Sequence, residues 1–345
     1  MKKIKILTLL SSSLLLASCA SVKDESHQIS TAQEAFKPSV TIFEAEAEKY
    51  LSPNAKIETL ASGHIWTEGP VWVPDAGYLL YSDIPNNKIM KFQPGKGAEL
   101  YLNKSGATGL FEGDHDQGSN ALLINSKGQL VLLQQGDRRV AIMDSDLDKP
   151  KSKFITLAGN LNGKRLNSPN DAVYHSDGSL YFTDPAYGLK ERLNDPRKEL
   201  AFQGLFRINP AGKLELLDDS INFPNGIALS KDEKTLYVAV SDEEFPRWLA
   251  YQVESDGSIS NKRLLIDATD DVKVKGEIGM PDGMALHSSG NLFATGPGGV
   301  WLITPEGKVL AKIYTGKLTA NCTLSADEKT LYLTAHDTLM SVALK

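Results

Sequence analysis

The chain has 345 residues, 37 Lys and Arg against 43 Asp and Glu, a formal net charge of −6, and two cysteines. This acidic balance argues against binding to nucleic acids or anionic lipid surfaces, because both require clustered positive charge. Two cysteines exclude a disulfide-stapled scaffold, so stability has to come from a large apolar core.

The N terminus has the features of an export signal. Three lysines within the first five residues precede an apolar run at residues 6–17, which is too short for a permanent membrane span. The run ends in Leu-Ala-Ser-Cys19, which resembles the bacterial lipobox; an ordinary cleaved signal with an incidental cysteine is the alternative. We therefore predict a signal peptide at residues 1–18 and lipidation of Cys19.

A tether is predicted at residues 19–55, because this stretch is polar and mixed in charge over much of its length. By analogy with lipoprotein sorting, Ala20 after the cysteine suggests a periplasm-facing protein of the outer membrane. The lipid anchor would then be the only contact with a membrane.

Residues 56–345 contain one unit six times, at a spacing of roughly 40–57 residues. Two copies begin at Asn225 and Ala320 and share the sequence Leu-Ser-x-Asp-Glu-Lys-Thr-Leu-Tyr. Each unit reads as an apolar strand, a polar turn and a second strand, and further strands follow in most units. A ring of four-stranded sheets is a propeller, so the sequence predicts an all-β, six-bladed β-propeller. A pair of β-sandwiches would explain the strands but not the repeat.

The first position of each unit is expected to lie at the propeller axis, where the innermost strands meet. Five of the six residues there carry a carboxylate or amide oxygen, and together they predict a central metal site. Oxygen ligands favour hard cations, and an open mixed shell suits Ca²⁺ better than Mg²⁺, with Mn²⁺ also open. The alternative is that these residues only form turns. The six positions are Glu68, Asn120, Asn170, Asn225, Asp282 and Ala320.

The motifs around these positions resemble those of the gluconolactonase and regucalcin family, over about residues 57–345. They include Trp-Thr-Glu68-Gly-Pro, Phe-Pro-Asn225-Gly and Pro-Asp282-Gly-Met, and they look most like bacterial gluconolactonases. The resemblance implies a six-bladed propeller with one divalent metal, usually Ca²⁺ or Zn²⁺, held by Glu68, Asn225 and Asp282. It implies that Asn170 is a fourth ligand or a substrate contact.

The expected reaction is metal-dependent hydrolysis of a small sugar lactone. The metal would polarise the lactone carbonyl. Asp282 is either a ligand only or a ligand that also accepts the proton of the attacking water or orients that water; direct attack of Asp282 on the substrate is a minor third option. Asn170 is a candidate donor to the developing oxyanion.

Five residues are candidates for binding substrate, each with a plainer alternative. Asn120 and His115 are expected near the same mouth, the alternatives being a channel lining and a surface loop histidine. Arg138 and Arg165 are candidates for sugar hydroxyls, or else hold blades together. Tyr187 begins a charged insertion, residues 188–203, that either roofs the pocket or is a plain solvated loop.

Two other functions remain open from the sequence. A phosphotriesterase looks similar in the same four positions, so the metal shell does not fix the substrate. A propeller can also be a non-catalytic binding module.

Overall fold

The computed structural model describes residues 37–345 apart from residues 74–75 and 112–116. Its strands form six antiparallel blades and a separate two-stranded sheet, and four of the blades consist only of strands that are consecutive in the chain. The all-β, six-bladed propeller expected from the repeat is therefore confirmed. In the described residues no helix is both long and apolar enough to cross a membrane.

The described residues form 27 strands, β1 to β27 in chain order. Those before and within blades one to three are β1 (Ser39–Ile42), β2 (Ile57–Ser62), β3 (Thr67–Val73), β4 (Tyr78–Asp83), β5 (Lys88–Gln93), β6 (Gly97–Asn103), β7 (Ser119–Ile124), β8 (Leu130–Gln134), β9 (Arg139–Met143), β10 (Phe154–Ala158), β11 (Asn160–Leu161), β12 (Lys164–Arg165), β13 (Ala172–Tyr174), β14 (Leu180–Asp184), β15 (Gly204–Ile208) and β16 (Leu214–Asp218). Those of blades four to six are β17 (Pro224–Leu229), β18 (Thr235–Val240), β19 (Arg247–Val253), β20 (Ile259–Asp267), β21 (Met284–Leu286), β22 (Leu292–Gly296), β23 (Gly299–Ile303), β24 (Val309–Tyr314), β25 (Thr319–Leu324), β26 (Thr330–Ala335) and β27 (Thr338–Ala343). Short 3-10 helices cover Ala45–Lys49, Arg192–Asn194 and Asp271–Lys273.

The ring closes through the N-terminal part of the chain. Strand β2 is the outermost strand of blade six and pairs with β27, in a register that sets Ile57 opposite Val342. Strand β1 adds a fifth strand to blade five by pairing with β24. Strand β2 thereby completes blade six as a four-stranded sheet built from both ends of the propeller sequence.

The folded unit begins before the expected boundary at residue 56. Besides β1, the short helix Ala45–Lys49 packs on the propeller, and Ala47 and Leu51 are fully buried in the core between blades five and six. Burial of a leucine side chain stabilises a fold by about 1.5–3 kcal/mol. The C-terminal half of the expected tether is therefore part of the propeller.

Apolar clusters between neighbouring blades hold the ring together. Between blades two and three, Val131 and Leu133 pack with Phe182 and Phe206, whose rings stack at 5.4 Å. These residues come from the second and third strands of their blades. Both faces of these strands are buried, so the strand sequences are largely apolar and do not alternate with polar residues.

Glycines next to the axial residues allow the inner strands to approach one another. A Cβ on Gly226 would lie 2.2 Å from the Asp282 carbonyl oxygen, and one on Gly69 would lie 2.1 Å from that of Asn120. Hydroxyls on second strands also reach the next blade: Ser82 donates to the Asn120 carbonyl and Thr183 to the Asn225 carbonyl. Both features draw the first residues of the inner strands together.

Candidate active site

One mouth of the propeller holds a cavity of about 490 Å³, a size typical of small-ligand sites. The five polar residues that the repeat placed at the axis all line it, and each comes from a different blade. Apolar side chains such as Trp66, Met280 and Leu318 form part of the wall. The five polar residues are Glu68, Asn120, Asn170, Asn225 and Asp282.

Asn225 is oriented by a neighbouring serine. Its Nδ2 donates to Ser241 Oγ at 2.9 Å, and the Ser241 hydroxyl donates to the Pro281 carbonyl at 2.6 Å. The amide nitrogen is thereby fixed, and the Oδ1 atom is left buried without a hydrogen-bond partner. Such unpaired buried acceptors are rare in folded proteins and indicate a missing partner.

The other two axial amides show the same lack of partners. Asn120 Oδ1 is also buried without a hydrogen bond. The side chain of Asn170 makes no hydrogen bond to any residue that the structure describes. Three carboxamides thus face the cavity with free oxygen atoms, which matches a site whose ligand supplies the missing interactions.

Three carboxyl groups share the axial region, and burial raises the pKa of each. For Glu68 the pKa is raised to about 7 by burial, against the lowering effect of the Gly69 amide, which donates to Oε2 at 2.9 Å. Burial raises the pKa of Asp171 to about 7 as well. Burial and the nearby charge of Glu68 raise the pKa of Asp282 well above its ordinary value.

No basic side chain of the described residues forms an ion pair with these three carboxyl groups. A positive charge from outside the chain would therefore favour their ionised forms. Two axial carboxylates and unpaired amide oxygens are hard donors, and they suit an ion such as Ca²⁺. Within the described part of the chain no group of three or more His, Cys, Asp or Glu is arranged to hold a metal. A metal ion at the axis would therefore have to be bound by the amide oxygens as well as by the two axial carboxylates.

Tyr187 forms one side of the cavity. Its ring packs on Phe223, with ring centres 5.2 Å apart, and its hydroxyl faces Ser241 and Asp282. Burial, aided by the charge of Asp282, raises the pKa of Tyr187 well above its ordinary value, so the phenol stays protonated and can donate. Tyr187 therefore lies where the sequence placed a substrate contact.

The structure does not bring the two predicted arginines into the cavity. Arg138 is buried, and its guanidinium donates to the carbonyls of Leu166, Asn167 and Arg197. Arg165 lies over the ring of Phe111, at 3.6 Å from its centre. Neither side chain lines the cavity, and their contact with sugar hydroxyls stays a prediction. The alternative role of holding neighbouring segments together fits Arg138.

Two further predictions fall on residues that the structure does not describe. Cys19 belongs to the N-terminal 36 residues, and His115 lies in the gap at residues 112–116.

Two axial residues were missed by the sequence analysis, Asp171 and Asn321. The Ala172 amide donates to Asp171 at 2.8 Å, and the Cys322 amide donates to Asn321 Oδ1 at 2.8 Å. The NH₂ of Asn321 consequently faces Glu68 and Asp171 and favours their charged forms. Each residue directly follows a first position of the repeat. Both therefore occupy the second position of the repeat and could have been found by aligning the units.

Comparison with known proteins agrees with this architecture. Residues 66–337 match the family model described as the SMP-30/Gluconolactonase/LRE-like region. A gluconolactonase of Zymomonas mobilis is 35% identical over 313 residues, which cover 89% of this chain and 86% of that protein. Regucalcin of Xenopus laevis is 25% identical over 273 residues, covering 78% and 82%. The solved structure of a gluconolactonase from Xanthomonas campestris matches with a TM-score of 0.75 and 27% identity, covering 90% and 95%.

Proposed function

Because the chain belongs to the SMP-30/gluconolactonase/LRE-like family, we propose that it hydrolyses a sugar lactone with one divalent metal ion at the propeller axis. The observation that carries the proposal is the convergence, in one cavity, of two carboxylates and three amides whose oxygen atoms have no hydrogen-bond partner in the described structure. A structural scaffold has no need of such a set, because buried polar groups without partners cost several kcal/mol each.

The metal would be held by Glu68, Asn225 and Asp282, with Asn170 as a fourth ligand. When bound, a divalent ion supplies a Lewis acid for the lactone carbonyl and charge for the two carboxylates. We favour Ca²⁺ because all of these donors are oxygens and none is a His or Cys, the donors typical of Zn²⁺ sites.

The remaining chemistry is assigned to the chain's own groups. Water adds to the carbonyl carbon, the ring C–O bond breaks, and the proton lost by the water reaches the departing alkoxide, giving a hydroxy acid. Asp282 is more exposed to the cavity than the buried Glu68, so it is the better-placed acceptor for that proton. The NH₂ of Asn170 would stabilise the developing negative charge.

The test is a pH-stat assay of acid release from D-glucono-1,5-lactone, with metal analysis of protein purified without added metal. We expect about one divalent ion per chain, loss of turnover after chelation and recovery on adding Ca²⁺. Asp282→Asn should lower kcat by at least about 10²-fold, whereas the exposed Asp270→Asn should not change it. Lactone hydrolysis that persists after complete removal of metal would contradict the proposal.

A phosphotriesterase is the second candidate, because the axial donors do not specify the substrate. Chelator-sensitive release of an aryl alcohol from a phosphotriester, without lactone hydrolysis, would favour it. Metal binding without either reaction would indicate a non-catalytic binding propeller.

We also propose that the chain is exported and anchored to the outer membrane through a lipid on Cys19. The support is the sequence of the first 20 residues. Metabolic labelling with radioactive palmitate should mark the full-length protein and should fail with Cys19→Ser. Equal labelling of the two proteins would remove this assignment.

A further inference from the structure

Two oppositely charged side chains line the rim of the axial cavity beside Tyr187. Arg192 belongs to the insertion at residues 188–203, between the second and third strands of blade three. Glu243 lies in the equivalent loop of blade four, between β18 and β19. Both affect the Tyr187 hydroxyl electrostatically, so they lie near the same part of the cavity.

Neither charged side chain is paired with another residue that the structure describes. Arg192 and Glu243 are exposed, and their side chains make no hydrogen bond or ion pair with any residue described in the structure. The guanidinium lies over the Tyr187 ring, whose centre is 5.7 Å from the guanidinium carbon. Five donors and one carboxylate therefore remain free to meet a ligand.

The backbone at Arg192 is held in an uncommon conformation. Its φ of 49° is left-handed, a region that non-glycine residues rarely adopt, and the Arg192 carbonyl accepts from the Asp195 amide at 3.2 Å. This hydrogen bond closes the turn that carries Arg192.

The base of the insertion fixes the position of its tip. Arg138 donates to the Arg197 carbonyl at 2.9 Å, and the Arg165 amide donates to the Glu199 carboxylate at 2.7 Å. At the end of the insertion, Gln203 accepts from the Ala186 amide at 2.9 Å. The segment is thus a tied loop, and it presents Arg192 to the cavity from a supported backbone.

We infer that Arg192 and Glu243 determine substrate specificity by holding the hydroxyl groups of a neutral, polyhydroxylated lactone. The inference rests on the proposed function. Arginine donates and glutamate accepts, and a sugar hydroxyl does both, so one pair of residues can bind adjacent hydroxyls. A lactone carrying a phosphate or carboxylate group would gain from Arg192 but be repelled by Glu243, which favours an uncharged substrate.

The test compares two lactones that differ in hydroxyl groups: D-glucono-1,5-lactone, and dihydrocoumarin, which has none. Removing a hydrogen bond to a charged group weakens binding by about 10–100-fold. We therefore expect Arg192→Ala and Glu243→Ala each to raise KM for gluconolactone by about tenfold or more, with kcat changed by less than about threefold. For dihydrocoumarin, kcat/KM should stay within about threefold of wild type.

Matched controls come from the same loops. Lys190→Ala and Glu244→Ala remove exposed charges that do not line the cavity, and both should leave the KM for gluconolactone unchanged. Arg192→Lys should recover part of the lost affinity, because it keeps the charge but not the planar donor group.

The outcomes separate this inference from the proposed function. A wild-type protein that opens neither lactone would remove the proposed function and this inference with it. A wild-type protein that opens both, with variants that lose the same factor on each lactone or on neither, would overturn the specificity assignment alone.

Discussion

The amide nitrogen of Asn225 donates to Ser241 Oγ at 2.9 Å, and the Oδ1 atom of the same carboxamide is left without a hydrogen-bond partner. Ser241 is itself fixed by its bond to the Pro281 carbonyl, next to Asp282 in the chain. One serine thus orients a candidate ligand of blade four and also contacts the segment that carries the candidate ligand of blade five.

Ser241→Ala should weaken metal binding without unfolding the protein. The Asn225 amide would lose its acceptor and rotate more freely, and loss of such orienting partners typically costs 10–100-fold in metal affinity. Titration of metal-free protein with Ca²⁺ by calorimetry measures the change. Ser82→Ala is the matched control, because it removes a hydroxyl that donates to the Asn120 backbone and not one that holds a ligand amide. Equal Ca²⁺ affinity of wild type and Ser241→Ala would show that the contact has no orienting role.

The stability of metal-free protein should fall as the pH rises from about 4 to 7. Burial raises the pKa of Glu68 and Asp171 to about 7, from ordinary values of 4.5 and 3.8 that apply in the unfolded chain. In this window the folded protein binds more protons than the unfolded one, so stability is lost as the pH increases through the folded pKa. Melting temperatures in chelator at pH 5 and pH 8 measure the effect.

Divalent cations should reverse this trend, because they bind only deprotonated carboxylates. We expect Ca²⁺ to raise the melting temperature by more degrees at pH 8 than at pH 5. Glu68→Gln removes one of the titrating groups and should reduce the loss of stability between the two pH values in chelator. A chelated wild-type protein that is more stable at pH 8 than at pH 5 would contradict this account.

Gly226→Ala should destabilise the propeller strongly, by about 2 kcal/mol or more, because the new Cβ would lie 2.2 Å from the Asp282 carbonyl oxygen. Backbone atoms are the obstacle, so no side-chain rotation relieves the clash. At Gly159, by contrast, an added Cβ meets its nearest neighbour at an ordinary 3.5 Å. Urea denaturation of both variants measures the difference, and a Gly226→Ala protein as stable as Gly159→Ala would refute the close approach.

Arg138→Ala should loosen the insertion at residues 188–203 and not the axial site. It leaves three backbone carbonyls without their donor, at a cost of about 1–3 kcal/mol for each buried group. Trypsin should then cut faster at Lys190 and Arg192, while Ca²⁺ affinity stays at the wild-type value. Arg263→Ala, which removes an exposed arginine, is the control. Unchanged cleavage of the insertion would show that Arg138 does not hold it.

The repeat was sufficient to predict the blades and the axial ring, because a propeller places the first residue of every unit at the same radius. It did not reveal that Arg138 and Arg165 lie outside the cavity lining, because the side chain of a loop arginine turns inward or outward according to which carbonyls are nearby. It also missed the N-terminal boundary: β1 has four residues and no repeat, and its place on blade five depends on pairing with a strand about 270 residues away.

Arg192 and Glu243 illustrate the same limit. They lie in loops of unequal length, which an alignment of the repeat units does not cover. The sequence near each residue does not show that it lies close to Tyr187. Asp171 and Asn321 differ, because they occupy a fixed repeat position and were available from the alignment.

The meeting of β2 and β27 in one sheet has a consequence for how the chain is ordered. Near this pairing the Lys345 amide donates to the Tyr50 carbonyl at 2.9 Å, so Lys345 lies beside the segment that leads into β2. The arrangement of the six blades therefore does not depend on the position at which the chain starts. A linker from Lys345 to Lys37, with new termini introduced in an exposed turn elsewhere, would give a circular permutant. That permutant should keep every blade and the position of each blade around the axis.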